Sequence, residues 1–198
     1  MGSAARRPRD CRSRRPNRVV AMSAPDPASP TEQAFTISTP TLADVPALAR
    51  IHVRGWELAY SHLLHGEQWF GQEAIDRRIT HWTSWLTPGT PAADEGRYRV
   101  GRDGVGAVIG LAASWPPREA QPVRPRELSL LYLDEEWLGT GLAAALTEAI
   151  LEGGPASVWV AEDNPRARRF YEKAGFAPDG AARVEEHLGS LRDLRMVR

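Results

Sequence analysis

A glycine turn, Gly139-Thr140-Gly141, stands between an apolar run, Leu128–Leu133, and a segment of helical spacing that begins at Leu142. Such a turn between a strand and a helix leaves backbone N–H groups unpaired at the positive end of the helix dipole. That makes an anion site suited to phosphate. A short strand-like run, Ser157–Val160, follows. Asn164-Pro165 then opens a second helical segment that carries Ala167, Phe170 and Tyr171 and ends at Gly175-Phe176. Placed beside the first strand–helix unit, this second one can frame the rest of a long, phosphorylated cofactor.

These residues resemble the GNAT superfamily of acetyl-CoA-dependent N-acetyltransferases. The family's cofactor motif, Gln/Arg-x-x-Gly-x-Gly/Ala, falls on Leu138-Gly139-Thr140-Gly141-Leu142-Ala143. Its second pattern, Asn-x-x-Ala-x-x-Phe-Tyr-x-x-x-Gly-Phe, is complete in Asn164, Ala167, Phe170, Tyr171, Gly175 and Phe176. Upstream, Ala43–Trp69 is similar to the first two helices of members that carry a Trp-x-x-x-Tyr pair, here Trp56 and Tyr60. The resemblance covers roughly Phe35–Arg198. Two positions depart from it: Leu138 stands where Gln or Arg is usual, and Glu135 where Pro is common. The first removes a polar side chain near the pyrophosphate but leaves the backbone donors, which implies weaker or differently tuned CoA binding.

The resemblance implies transfer of an acetyl group from acetyl-CoA to a primary amine. A lysine-like amine is neutral about once in 10³ at pH 7, so presenting it deprotonated offsets roughly 4–5 kcal/mol. A base, or a water chain to one, contributes there. Backbone N–H groups of Leu138, Gly139, Thr140, Gly141, Leu142 and Ala143 are expected around the pyrophosphate. The backbone of Leu131, Tyr132 and Leu133 is expected to pair with the pantetheine arm. Tyr171 is the expected general acid, against the alternative of a core aromatic on the helix stripe. Glu127 is the candidate base, against a solvated strand end. Asn164 caps its helix and is a candidate cofactor contact. Trp56 and Tyr60 are candidates for the acceptor site, against plain core packing. Arg166, Arg168 and Arg169 read as a solvated helix face, with a contact to the 3′-phosphate as the alternative.

Composition limits the rivals. The 198 residues suit one domain with a real core. The apolar fraction of 42% is ordinary, and no apolar run is long enough to span a membrane. The one cysteine, Cys11, permits no internal disulfide and fits a reducing cytoplasm. There are 24 Arg and one Lys, Lys173, and no Lys follows a glycine, which excludes a P-loop. Gly104-Val105-Gly106 leads into a strand pattern and so fails as a dinucleotide fingerprint. His62 and His65 could share a helix face, but no third ligand spacing accompanies them, so no metal is expected. Residues 1–21 hold seven Arg and one Asp, and the remainder balances them to a net charge of zero. Residues 1–33 are expected to be a disordered tail preceding a domain over 34–198, and Met22 is a candidate native start. Nucleic acid binding through the tail has little support.

The elements needed to position these residues follow from periodicity. Strands are expected at Phe35–Ser38, Tyr98–Val100, Ala107–Ser114, Glu127–Leu133, Val158–Val160 and Arg192–Val197. A helix preceded by a Thr41-x-x-Asp44 box, with Pro46 in its first turn, is expected to break near Gly55. Another runs from about Gln68 to Leu86, and Pro88–Gly96 reads as loop. The Leu142 helix stops at Gly153-Gly154-Pro155. The whole reads as an α+β (α/β) GNAT fold: a mixed, mostly antiparallel sheet flanked by helices on both faces. The expected partner is a small-molecule or peptide amine, and the resemblance leaves room for a homodimer. A non-catalytic CoA-binding or regulatory module is the rival reading, given weight by Leu138 and Glu135.

Overall fold

The structure is a computed structural model that describes residues 34–188 and 190–198. The expected tail and the candidate start at Met22 lie outside those residues. One seven-stranded sheet has the order β1-β2-β3-β4-β5-β7-β6. Its strands are β1 (Thr36–Ser38), β2 (Arg97–Arg102), β3 (Val108–Trp115), β4 (Glu127–Leu133), β5 (Ser157–Ala161), β6 (Ala177–Glu185) and β7 (Leu191–Val197). Every pairing is antiparallel except β4 with β5. The expected mixed, mostly antiparallel α+β sheet is therefore present.

Six α-helices accompany it among the described residues: α1 (Val45–Tyr60), α2 (Glu67–Phe70), α3 (Gln72–Leu86), α4 (Pro91–Glu95), α5 (Leu142–Leu151) and α6 (Pro165–Lys173). The sheet sorts its side chains to two faces because successive residues of a strand point opposite ways. In β3, Ala112 joins the core under α5 with Leu142, Leu146 and Ile150. Its neighbours Leu111 and Ala113 join the core under α1 and α3 with Leu48, Ile51 and Trp82. Both faces are covered, so β3 is buried along nearly its whole length.

Four local expectations need correction. The helix expected to break at Gly55 is continuous. There the glycine serves packing, since a Cβ at Gly55 would lie 2.3 Å from Cδ1 and 2.6 Å from Cγ of Tyr132 on β4. The helix expected over Gln68–Leu86 is instead two, because Gly71 takes an extended conformation between α2 and α3. Pro88–Gly96 contains α4, with Pro91 in its first turn and the Thr90 hydroxyl accepting from Ala93 N at 3.2 Å. Strand β6 was not expected at all. Pro178, Gly180 and a mostly exposed, charged pattern hide it from an apolar-periodicity reading.

Gly55→Ala is expected to lower the melting temperature. Overpacking typically costs about 1–3 kcal/mol, against roughly 1 kcal/mol regained from helix propensity. The ring beneath is held by a 5.2 Å stack on His52 and has little room to yield. An unchanged or higher midpoint in thermal unfolding would show that Tyr132 gives way instead.

Candidate active site

The site is built by the one parallel pairing. β4 and β5 register only at Glu127↔Ser157 and then separate. The divergence begins beside a bulge: Ala113 faces Leu130 and Ser114 faces Leu128, which leaves Ser129 unopposed. Asp134 N donates to Ile109 O on β3 at 2.9 Å. Alternation along an antiparallel strand therefore turns the backbone groups of Leu133 and Leu131 away from β3, into the gap before β5. An open cavity of about 660 Å³ fills that gap.

One half of the cavity is walled by β4, β5 and the starts of α5 and α6. Leu131, Tyr132, Leu133, Leu138, Gly139 and Ala143 line it, as do Asn164 and Tyr171. Gly139 and Gly141 have φ of +86° and +91°, and a Cβ at either would meet nothing within 4 Å. The turn is therefore a bare backbone surface. Leu138 N donates to Glu135 O at 3.1 Å, and Ala145 N to Gly141 O at 3.0 Å. Between them, no N–H from Gly139 to Ala144 has a hydrogen-bond partner among the described residues. The free donors thus start one residue later than the sequence suggested. Leu138 meets the cavity through its side chain, which also packs against the core under α5. Thr140 and Gly141 do not line the cavity; the Thr140 hydroxyl donates to Trp137 O at 2.8 Å. Leu142 is fully buried, so only its backbone is available.

The turn is tied to α1 by ion pairs. Arg50 makes two hydrogen bonds to Asp134, at 2.9 and 3.1 Å, and Arg54 reaches Glu135 at 3.1 Å. Two acids of the run Asp134–Glu136 thus anchor the bare turn to α1. On α6, Asn164 Oδ1 accepts from Ala167 N at 3.0 Å, as a cap should, and the side chain also lines the cavity. Tyr171 sits edge-on to Phe170 and Phe176 at 5.2 and 5.7 Å. Burial pushes its phenol well above the ordinary value, with a smaller contribution from Tyr60. Its hydroxyl has no hydrogen-bond partner among the described residues.

The other half is walled by α1, the start of β4, and β5, β6 and β7. Trp56, Tyr60 and Glu127 line it, so the three residues assigned to acceptor chemistry share one cavity with Tyr171. Trp56 stacks on Trp69 at 6.2 Å and meets Tyr60 edge-on at 5.3 Å. Burial pushes the Tyr60 phenol up to about 12, assisted by Asp193 and Asp163. Glu127 is half-buried. Its carboxyl is raised by burial, and the Ser129 hydroxyl, donating to Oε1 at 3.1 Å, acts against that rise.

Sequence reasoning missed Trp159, Arg183, Glu185 and Asp193, which complete this half. One signal was available for Asp193: it shares the inward face of β7 with Leu191, an acid placed where an apolar residue is usual. Arg166 also lines the cavity, whereas Arg168 turns back to Glu162 O at 3.3 Å. His62 bonds Asp163 at 2.9 Å, and among the described residues no group of three His, Cys, Asp or Glu could hold a metal ion. No helix of the described residues is long and apolar enough to cross a membrane.

Comparison with known proteins agrees with this architecture. An uncharacterized N-acetyltransferase of Mycobacterium tuberculosis is 41% identical over 81 residues; the match covers 38% of this chain, which spans about half (52%) of that relative's length. The uncharacterized N-acetyltransferase YuaI of Bacillus subtilis is 27% identical over 79% of this chain and 87% of its own length. A crystal structure of the PaiA N-acetyltransferase of Thermoplasma acidophilum in complex with coenzyme A shares the fold. Its TM-score is 0.57 at 16% identity, over 82% of this chain and 98% of that one. Residues 56–176, from Trp56 on α1 to Phe176 just before β6, match the Acetyltransferase (GNAT) family, and the chain belongs to that family.

Proposed function

We propose that the chain is an acetyl-CoA-dependent N-acetyltransferase acting on a primary amine, with residues 34–198 as the catalytic unit. One observation carries the reading. The separation of β4 from β5 places four things on one cavity: the open backbone edge at Leu131 and Leu133, the bare turn before α5, the Tyr171 phenol and the Glu127 carboxyl.

The residues present fit the cofactor. The free N–H groups from Gly139 to Ala144 lie at the positive end of α5, which suits a pyrophosphate. Glycines at 139 and 141 let phosphate oxygens approach the backbone, and Ala143 adds only a methyl group. Arg166 offers a positive charge on the same wall, where Leu138 supplies none. Bound acetyl-CoA supplies an activated acetyl group and a thiolate leaving group.

The chain's own residues then have defined work. The outward backbone groups of Leu131 and Leu133 orient an extended arm as a partner strand would. Glu127 takes a proton from the incoming amine, directly or through a water. Its raised carboxyl holds that proton better than an exposed one. Tyr171 Oη donates a proton toward the departing sulfur. Because burial holds the phenol above its ordinary value, it remains a donor across the neutral range. Trp56 and Tyr60 flank the acceptor.

Thiol release from acetyl-CoA, measured over a panel of amines, tests the activity. Gly141→Glu tests the cofactor assignment. It places a bulky anion beside the phosphate wall; no atom lies within 4 Å, but the left-handed φ of +91° strains any side chain there by about 1–3 kcal/mol, so the apo protein is expected to fold with a lower melting temperature. Its melting temperature should no longer rise with added CoA. An undiminished rise would move the anion site elsewhere. CoA binding without acetyl transfer to any amine would favour the regulatory reading.

A further inference from the structure

Arg126 stands one residue before Glu127, does not line the cavity, and has no part in the activity proposed above. Its Nη2 donates to Ser114 O at 2.6 Å and to Ser114 Oγ at 3.1 Å. Its Nη1 donates to Glu95 O, at the end of α4, at 3.0 Å. Its own carbonyl accepts from Ser157 N at 2.9 Å and from Ser157 Oγ at 3.4 Å. Ser114 on β3 and Ser157 on β5 are both buried. Arg126 thus ties α4, β3 and β5 together at the point where β4 begins.

That point matters because of the bulge at Ser129. Along an unbroken strand, residues two apart share a face. In β4, Leu130 and Tyr132 pack toward α1 and α3, whereas Leu131 and Leu133 pack toward α5. Unbroken alternation would send Leu128 with Leu130 and Glu127 with Leu131. Instead Leu128 is buried under α5, opposite Ser114, and Glu127 pairs with Trp115, which packs toward α1 and α3. The extra residue has exchanged the two faces. That exchange puts the Glu127 carboxyl on the α1 side of the sheet, in the cavity that Trp56 and Tyr60 line.

Leu128 supports this register by its burial. Beyond it, one pair remains on β3, Trp115↔Glu127, and one on β5, Glu127↔Ser157. A strand end with so few partners opens readily unless a side chain holds it. Arg126 shares the α5 face with Leu128 and Ser114, and its guanidinium holds the end from there. Resting on the reading of Glu127 as the base, we propose that Arg126 is its positioning residue: bound to Ser114 and Glu95, it pins the bulged end of β4 and keeps the Glu127 carboxyl turned into the cavity. Besides burial, the groups that act on the carboxyl there are the Ser129 hydroxyl, Arg183 of β6, and Arg118 and Glu119 of the β3–β4 connection.

A positioning residue acts only through the residue it positions, and double variants read that dependence. Arg126→Gln should lower kcat in the thiol-release assay by roughly 10- to 100-fold, less than loss of the base itself. The rise in melting temperature on adding CoA should be retained, because the turn before α5 is untouched. In a Glu127→Gln background the same change should lower kcat by less than about twofold. A second cycle needs no turnover. Glu127→Gln should raise the melting temperature at pH 8 in the otherwise unaltered protein, because a buried charge is removed. It should no longer do so beside Arg126→Gln, where the carboxyl has left its buried place. Ser114→Ala deletes one of the three bonds and should lower kcat by roughly two- to fivefold, with the same dependence on Glu127. It carries both comparisons if Arg126→Gln does not fold. An equal kcat loss in both backgrounds, or a thermal gain that survives Arg126→Gln, would make Arg126 a purely structural residue and leave Glu127 as the base. Absence of thiol release from the unaltered protein would overturn the activity, and the thermal cycle would still decide the role of Arg126.

Discussion

Tyr171→Phe is expected to lower kcat by roughly 10²–10⁴-fold, the usual contribution of a positioned proton donor, while the rise in melting temperature caused by CoA is retained. The substitution keeps the ring. Its edge-on contacts with Phe170 and Phe176 and its place beside the core under α5 are therefore preserved. What it removes is a hydroxyl with no hydrogen-bond partner among the described residues, so the fold loses little. The wild-type phenol is held well above its ordinary value, chiefly by burial. It stays protonated across neutral pH, as a donor must, and phenol ionisation should not limit the rate there. A variant that keeps its kcat but unfolds several degrees earlier would make Tyr171 a structural tyrosine and assign the thiolate's proton to water or another group.

Glu127→Gln is expected to lower kcat by a similar roughly 10²–10⁴-fold and, unusually for an active-site change, to raise the melting temperature at pH 7 to 8. The sign follows from burial. The folded-state carboxyl is raised above its unfolded value, chiefly by desolvation, so the folded protein holds the Glu127 proton more tightly than the unfolded chain. That contribution to stability is fully present below the ordinary carboxylate range and is lost as pH rises through the folded value. At neutral pH the buried charge works against folding, and a neutral amide removes it. The stability gap between variant and wild type should therefore close as pH falls below about 4. The acid limb of the wild-type kcat profile should lie above the ordinary carboxylate range and vanish in the variant. A variant that is less stable at neutral pH would place Glu127 in a structural ion pair; one with unchanged kcat would remove it as the base.

Much of the site is legible from local chemistry. A glycine turn between strand and helix exposes N–H groups wherever it occurs, and Asn164-Pro165 is read as a helix start from the residues alone. The sharing of one cavity by Glu127, Tyr171, Trp56 and Tyr60 is different. It depends on β4 leaving β5 after Glu127, beside the bulge at Ser129, and nothing in the spacing of the apolar residues marks that divergence. Gly55 makes the same point. Glycine in a helical pattern predicts a break, but here the absence of a side chain serves the approach of Tyr132 from a strand distant in sequence.

The sequence by itself determined the wall proposed for the cofactor: the turn at Gly139–Gly141, the capped α6 with Tyr171, and the family to which both belong. These are short-range features, set by backbone conformation and by residues a few positions apart. The tertiary structure decided the wall proposed for the acceptor. Arg183, Glu185 and Asp193 come from two strands at the sheet edge, one of them invisible to periodicity, and face Glu127 from β4 and Tyr60 from α1. Their chemistry arises from burial and from one guanidinium serving two carboxylates. Both are properties of the folded neighbourhood, because desolvation and close charge pairing exist only once distant segments have closed around the same cavity.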